Sequence, residues 1–130
     1  MIFEKRLLTI IFINVLLCTQ ALAEWSFVTT LQDGKGTKIY IDVETLRKDS
    51  NYSYIWKLSD LKVPYKGSKS AAMQIQIDCN LMRAKTLQYV YYDGQMGTGN
   101  PTSFNREEEW KYYPPGAHMY EIIKALCGEH

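Results

Sequence analysis

Few side chains in this chain could do covalent or acid–base chemistry. Histidine occurs only at 118 and at the C-terminal position 130, and cysteine only at 18, 79 and 127. A hydrolytic centre would need His118 as its base beside an activated serine or thiol, and the chain has no Gly-x-Ser-x-Gly turn to present one. No two histidines have the spacing of a metal site. The run Glu107-Glu108-Glu109 reads as a solvated loop, as carboxylate runs usually do. Gly97-Thr98-Gly99 lacks the remaining glycines of a dinucleotide fingerprint and reads as a turn. The sequence therefore points to a non-enzymatic protein with no catalytic residue, no metal ligand and no cofactor.

The N-terminus explains one cysteine. Lys5 and Arg6 precede an apolar run, Leu7 to Leu17, and Ala21-Leu22-Ala23 supplies small residues where a signal peptidase reads. Residues 1–23 are expected to be a secretory signal peptide cut between Ala23 and Glu24. The run is too short to span a bilayer. Lipidation of Cys18 is disfavoured, because Leu17 is bulky where lipoprotein signals need Gly, Ala or Ser. Residues 24–130 then form one domain exported to an oxidising compartment, and that domain holds two cysteines, Cys79 and Cys127. A disulfide between them is the expectation; two unpaired buried thiols are the alternative.

Removing Lys5, Arg6 and Glu4 from 15 basic and 14 acidic side chains leaves thirteen of each. Such a balance gives no footprint for nucleic acid or an anionic membrane, and no later run could span one. What stands out is aromatic content: ten tyrosines, three tryptophans and two phenylalanines after Ala23. Tyrosine is rigid and amphipathic, which suits both sheet ladders and contact surfaces. Tyr52, Tyr54, Trp56 and Trp25 are read as core or ladder. Tyr89, Tyr91 and Tyr92 are read as a possible binding surface, because consecutive strand residues face both sides.

The elements that must position these residues are mostly strands. Trp25–Thr30 and Thr37–Val43 alternate around Asp33-Gly34 and Gly36, as a hairpin would. Glu44–Asn51 is polar and turn-like. Tyr52–Ser59 alternates with Tyr52, Tyr54, Trp56 and Leu58 on one face, and Lys62–Ser70 reads as a loop. Ala71–Cys79 is the clearest strand, with Met73, Ile75, Ile77 and Cys79 opposite Gln74, Gln76 and Asp78. Alternation shifts within Arg83–Tyr92, which predicts a bulge. Asn100–Glu109 reads as loop and Trp110–Tyr113 as a short strand. Ala117–Cys127 places Met119, Ile122, Ile123 and Leu126 at helical spacing before Gly128. The predicted fold class is α+β: a small antiparallel sheet with a C-terminal helix packed on one face and tied by the disulfide.

In order along the chain, Trp25, "YIDVETLRKDSN", "YIWKLSD", "IDCNLMRAKTL", "YYDGQMGTG", "WKYYPPGA" and the final "LC" resemble the surface-adhesin protein E-like family of exported proteobacterial proteins. The resemblance covers nearly all of residues 24–127. It implies about six antiparallel strands with a C-terminal helix on the concave face, and its sheet and helix cysteines match Cys79 and Cys127. It also implies an adhesin binding host matrix or plasma proteins. It carries over no ligand-contacting residue. Leu17 departs from the lipoprotein pattern of the founding adhesin, so the periplasm is expected and the cell surface stays open. A periplasmic envelope structural or assembly protein, with a protein partner but no host ligand, is the alternative.

Overall fold

The computed structural model describes residues 24–128. The expected signal peptide, with Cys18 and Ala23, lies outside the described residues, as does His130. Six strands follow one another as a simple meander: β1 (Ser26–Thr30), β2 (Lys38–Asp49), β3 (Tyr52–Tyr65), β4 (Ser68–Asp78), β5 (Arg83–Tyr92) and β6 (Pro101–Phe104). Every neighbouring pair is antiparallel. Among the described residues, a single helix, α1 (His118–Cys127), follows the sheet.

The face that α1 covers is set by β4. Met73, Ile75 and Ile77 point to it and are buried, and their partners Ile55 and Ala84 are 1% and 0% exposed. Met119, Ile122 and Ile123 of α1 fill the same core, with Ile39 of β2. The three helix residues recur at the spacing of one helical stripe, and a ten-residue helix needs such a surface to persist. Its far end is covalent: Cys79, just past β4, is bonded to Cys127, with 5.4 Å between the Cα atoms.

Several boundaries differ from the sequence reading. Glu44–Asp49 is not a turn but the second half of β2, entered through a wide bulge where Asp42 pairs with Trp56 and Arg47 with Tyr54. The turn-like residues build that bulge: the Asp42 carboxylate accepts the Glu44 N–H, and the Thr45 hydroxyl donates to the Asp42 carbonyl. Lys62–Ser70 is likewise no loop. β3 and β4 run through it and turn on two residues, Lys66 and Gly67, both with positive φ. The sixth strand is Pro101–Phe104, whereas Trp110–Tyr113 makes only a single bridge from Lys111 to Ala84. The bulge expected in β5 is present at Leu87, which is skipped as the register passes from Thr86 opposite Ile75 to Gln88 opposite Gln74.

Candidate functional site

Tyr91 and Tyr92 face opposite sides of the sheet, as consecutive strand residues must. Tyr89 and Tyr91 pair with Met73 and Ala71 on the helix-bearing side, where the Leu87 bulge has carried them. Their rings stack at 6.1 Å, and Tyr91 meets Phe104 of β6 edge-on. Tyr92 pairs with Ser70 on the opposite side. All three are half-buried.

Among the described residues, no helix lies on that opposite side. Both of its ends are covered by loops. At one end, residues 93–100 fold over Leu58 and Ser70, both fully buried. The Ser70 hydroxyl donates to the Gly94 carbonyl at 2.7 Å and accepts the Gly97 N–H at 2.9 Å, while Asp60 accepts the Met96 N–H. Gly97, with φ of 70°, lies against Leu58, Trp25 and Tyr92. At the other end, the Trp110 ring stacks on Tyr52, with the Arg83 guanidinium 4.5 Å and the Lys85 ammonium 4.7 Å from its centroid. Arg83 is also paired with the buried Asp78 at 3.0 Å.

Between those ends lies a half-buried band of aromatic and amide groups. Trp56 sits between Asp42 and Gln74 in the register, and Tyr54 between Arg47 and Gln76. Gln76 donates to the Tyr54 hydroxyl, Gln88 donates to Gln74, and the Arg47 guanidinium lies 4.5 Å over the Tyr54 ring. These contacts fix the side chains in advance, which lowers the ordering cost of binding. Tyrosine, tryptophan and arginine are the residues that dominate protein–protein contacts. The sequence reading placed Tyr54 and Trp56 in core or ladder. The signal that relocates them is β4: once Ile75 faces the helix, its partner Ile55 must too, and Tyr54 and Trp56 then point away.

The helix-bearing side holds a polar cluster that the sequence did not disclose. Lys57 lies in a row across the sheet between Ile41 and Met73, and is buried. Its ammonium donates to His118 Nε2 at 3.1 Å and approaches Met119 Sδ at 3.6 Å. Burial pushes Lys57 down from 10.5 to about 8, opposed by Glu108 and aided by Lys111. His118 is driven down to about 4, first by burial and then by Lys57. Glu108 is not free in solvent as its run suggested: it accepts from the Tyr89 hydroxyl and pairs with Lys111. Tyr89 is pushed up to about 12 by burial and by that bond, and Glu108 is lowered by it. The hydrogen bond of His118 goes to an ammonium rather than to a hydroxyl or thiol, which is not the arrangement that activates a nucleophile.

Among the described residues, no three His, Cys, Asp or Glu side chains cluster as a metal site would need, and no helix is long and apolar enough to cross a membrane. An open cleft of about 600 Å³ at the β1–β2 turn is lined by Thr30, Gln32, Lys35 and Lys62 among others, with no imidazole, thiol or carboxylate.

An open antiparallel meander with a disulfide-tied helix on one face and a half-buried aromatic band on the other defines a small α+β domain. The chain belongs to the surface-adhesin protein E family, whose family model matches residues 25–128. Solved structures share the fold. One of Haemophilus influenzae protein E superposes with a TM-score of 0.64 at 12% identity, covering 84% of this chain and 90% of that one. A second, of protein E from non-typeable Haemophilus influenzae, gives 0.63 at 13% identity over 84% and 78%. No curated protein matches in sequence.

Proposed function

We propose that the chain is an exported, non-enzymatic adhesin-type module that binds a protein partner through the helix-free face of its sheet. Family membership sets the class. The observation that carries the surface is the band of Tyr54, Trp56, Gln74, Gln76 and Gln88, held by its own hydrogen bonds and, among the described residues, covered by no helix or strand. Tyr92 stands at its rim beside Gly97. Tyr89 and Tyr91 fall outside it and form, with Phe104, a separate patch along the β5–β6 edge. A host matrix or plasma protein is the partner where the module is displayed at the cell surface, whereas the N-terminal signal pattern favours the periplasm.

Photo-crosslinking in intact cells tests it. A crosslinking residue at Gln76 should capture a protein partner, and one at Glu121, on the exposed side of α1, should not. Equal capture from both positions would remove the assignment of the face. Protease added to intact cells tests display: a chain protected until the outer membrane is broken cannot act as a host adhesin. One sequence feature favours a second reading, an envelope component of the periplasm with no host ligand. Leu17 before Cys18 disfavours the lipid anchor that would hold the chain at the surface. Under that reading Gln76 captures an envelope protein instead.

A further inference from the structure

The two ends of α1 are held by different chemistry. Its last residue, Cys127, is bonded to Cys79. Its first residue, His118, sits over Lys57 at 3.1 Å, and Ala117 at the N-cap makes no side-chain capping bond. The segment leading in turns at Pro114–Ala117, with Gly116 at a φ of 93°. Upstream it is next fastened at Lys111, whose N–H and carbonyl bond the backbone of Ala84.

We propose that α1 is a latch hinged at the Cys79–Cys127 bond, and that proton uptake by His118 frees its N-terminal end from the sheet. The contact holds only while His118 Nε2 is an acceptor. Protonation turns it into a second donor and sets an imidazolium against an ammonium. Two like charges at that distance repel, Lys57 is buried and His118 half-buried, and lifting the helix end takes the imidazolium into water. Among the described residues, no carboxylate is bonded to either group to absorb the added charge. The groups facing them are Glu108 and Lys111 of the lead-in segment and Tyr89 of β5, while Ile41 of β2 and Met73 of β4 flank Lys57 with apolar surface. Glu108 is already committed to Tyr89 and Lys111. On α1 itself, Glu121 is exposed.

The direction of the response follows from linkage. The closed form keeps His118 near 4, whereas an opened, solvated imidazole returns toward the ordinary 6.5. The closed form is therefore fully favoured above about pH 6.5 and loses ground steadily as pH falls toward 4. Opening bares Ile55, Met73 and Ile75 at the centre of the sheet, so the latch couples outside acidity to exposure of an apolar face.

Amide hydrogen exchange of the disulfide-intact mature chain, corrected for the intrinsic rate, tests the latch. Between pH 7 and pH 4.5, exchange in residues 118–124 should rise about tenfold or more while β3 and β4 keep their protection. His118→Phe, which keeps a ring but cannot titrate, should abolish the rise. Unchanged protection of α1, a rise shared equally by β3 and β4, or an undiminished rise in His118→Phe would overturn the proposal. NMR titration of His118 in the unsubstituted chain gives a check that needs no variant: a midpoint at or above 6.5 would also overturn it.

Discussion

Cys79 and Cys127 join the end of the central β4 to the last residue of α1, with their Cα atoms 5.4 Å apart and a sequence separation of 48. The bond does for α1 what ten residues cannot do alone. Isolated helices of that length are marginal in water, and the face beneath holds Ile55, Ile75 and Ile77 at 3% exposure or less.

Removing the bond should therefore cost much of the domain's stability. Closing a loop of this length in the unfolded chain is worth about 4 kcal/mol on the chain-entropy model. Against a total of roughly 5–15 kcal/mol for a small domain, that is a large share. The double variant Cys79→Ser, Cys127→Ser should show a lower urea midpoint by a corresponding amount. An unchanged midpoint would mean that packing alone holds α1.

Lys57 works against stability at neutral pH. Its buried ammonium has an imidazole and a thioether for company. Lys57→Met fits a row already flanked by Ile41 and Met73 and removes a buried charge, so it should stabilise by about 1–3 kcal/mol at pH 7. The pH dependence has a definite sign. The folded value near 8 lies below the ordinary 10.5, so the folded chain binds fewer protons in that window. Stability contributed by Lys57 must rise as pH climbs from 8 to 10.5, and the advantage of the Met variant must shrink over the same range. Paired urea titrations at pH 7 and pH 10 measure that difference. A Met variant less stable at both would mean that the His118 contact outweighs the buried charge.

How much of this was legible in the sequence depends on how cleanly each segment separates its faces. β4 alternates Met73, Ile75 and Ile77 with glutamines, so both the strand and its buried face could be read directly. α1 was equally plain, with Met119, Ile122 and Ile123 on one stripe, and Cys79 with Cys127 were the two cysteines outside the expected signal. β3 was not, because Tyr52, Tyr54 and Trp56 alternate with Ser53, Ile55 and Lys57, and the more apolar set looks like the inside. Rings with polar tips tolerate a half-wet face, whereas Lys57 is buried only because α1 is laid across it from 61 residues away. β6 was invisible for another reason. Pro101 argues against a strand, and is tolerated because β6 is an edge paired only with β5.

Ser70 should prove a pivot for the loop at residues 93–100. Its fully buried hydroxyl both donates to Gly94 and accepts from Gly97. Ser70→Ala leaves a carbonyl and an N–H without that partner, which should cost about 1–3 kcal/mol. Exchange of the Gly97 amide should rise in step, with α1 unaffected. A variant as stable as the parent chain would show that Met96 bonding to Asp60 suffices to hold the loop.

The helix-free face can be separated from the rest of the molecule by charge reversal. Arg47 is exposed, lies 4.5 Å over the Tyr54 ring, and enters none of the ion pairs formed among Arg83, Lys85, Lys111 and their partners. Arg47→Glu should therefore change the face without removing a buried contact, and thermal unfolding should shift little. If the face is the contact surface, affinity for the protein captured from Gln76 should fall about tenfold or more, the usual loss on removing an arginine anchor. Glu121→Lys reverses charge on the outer side of α1 and should leave that affinity unchanged. Surface plasmon resonance with both variants separates the outcomes. Equal losses would indicate a long-range charge effect, which added salt would suppress. A loss confined to Glu121→Lys would move the contact surface to the helix.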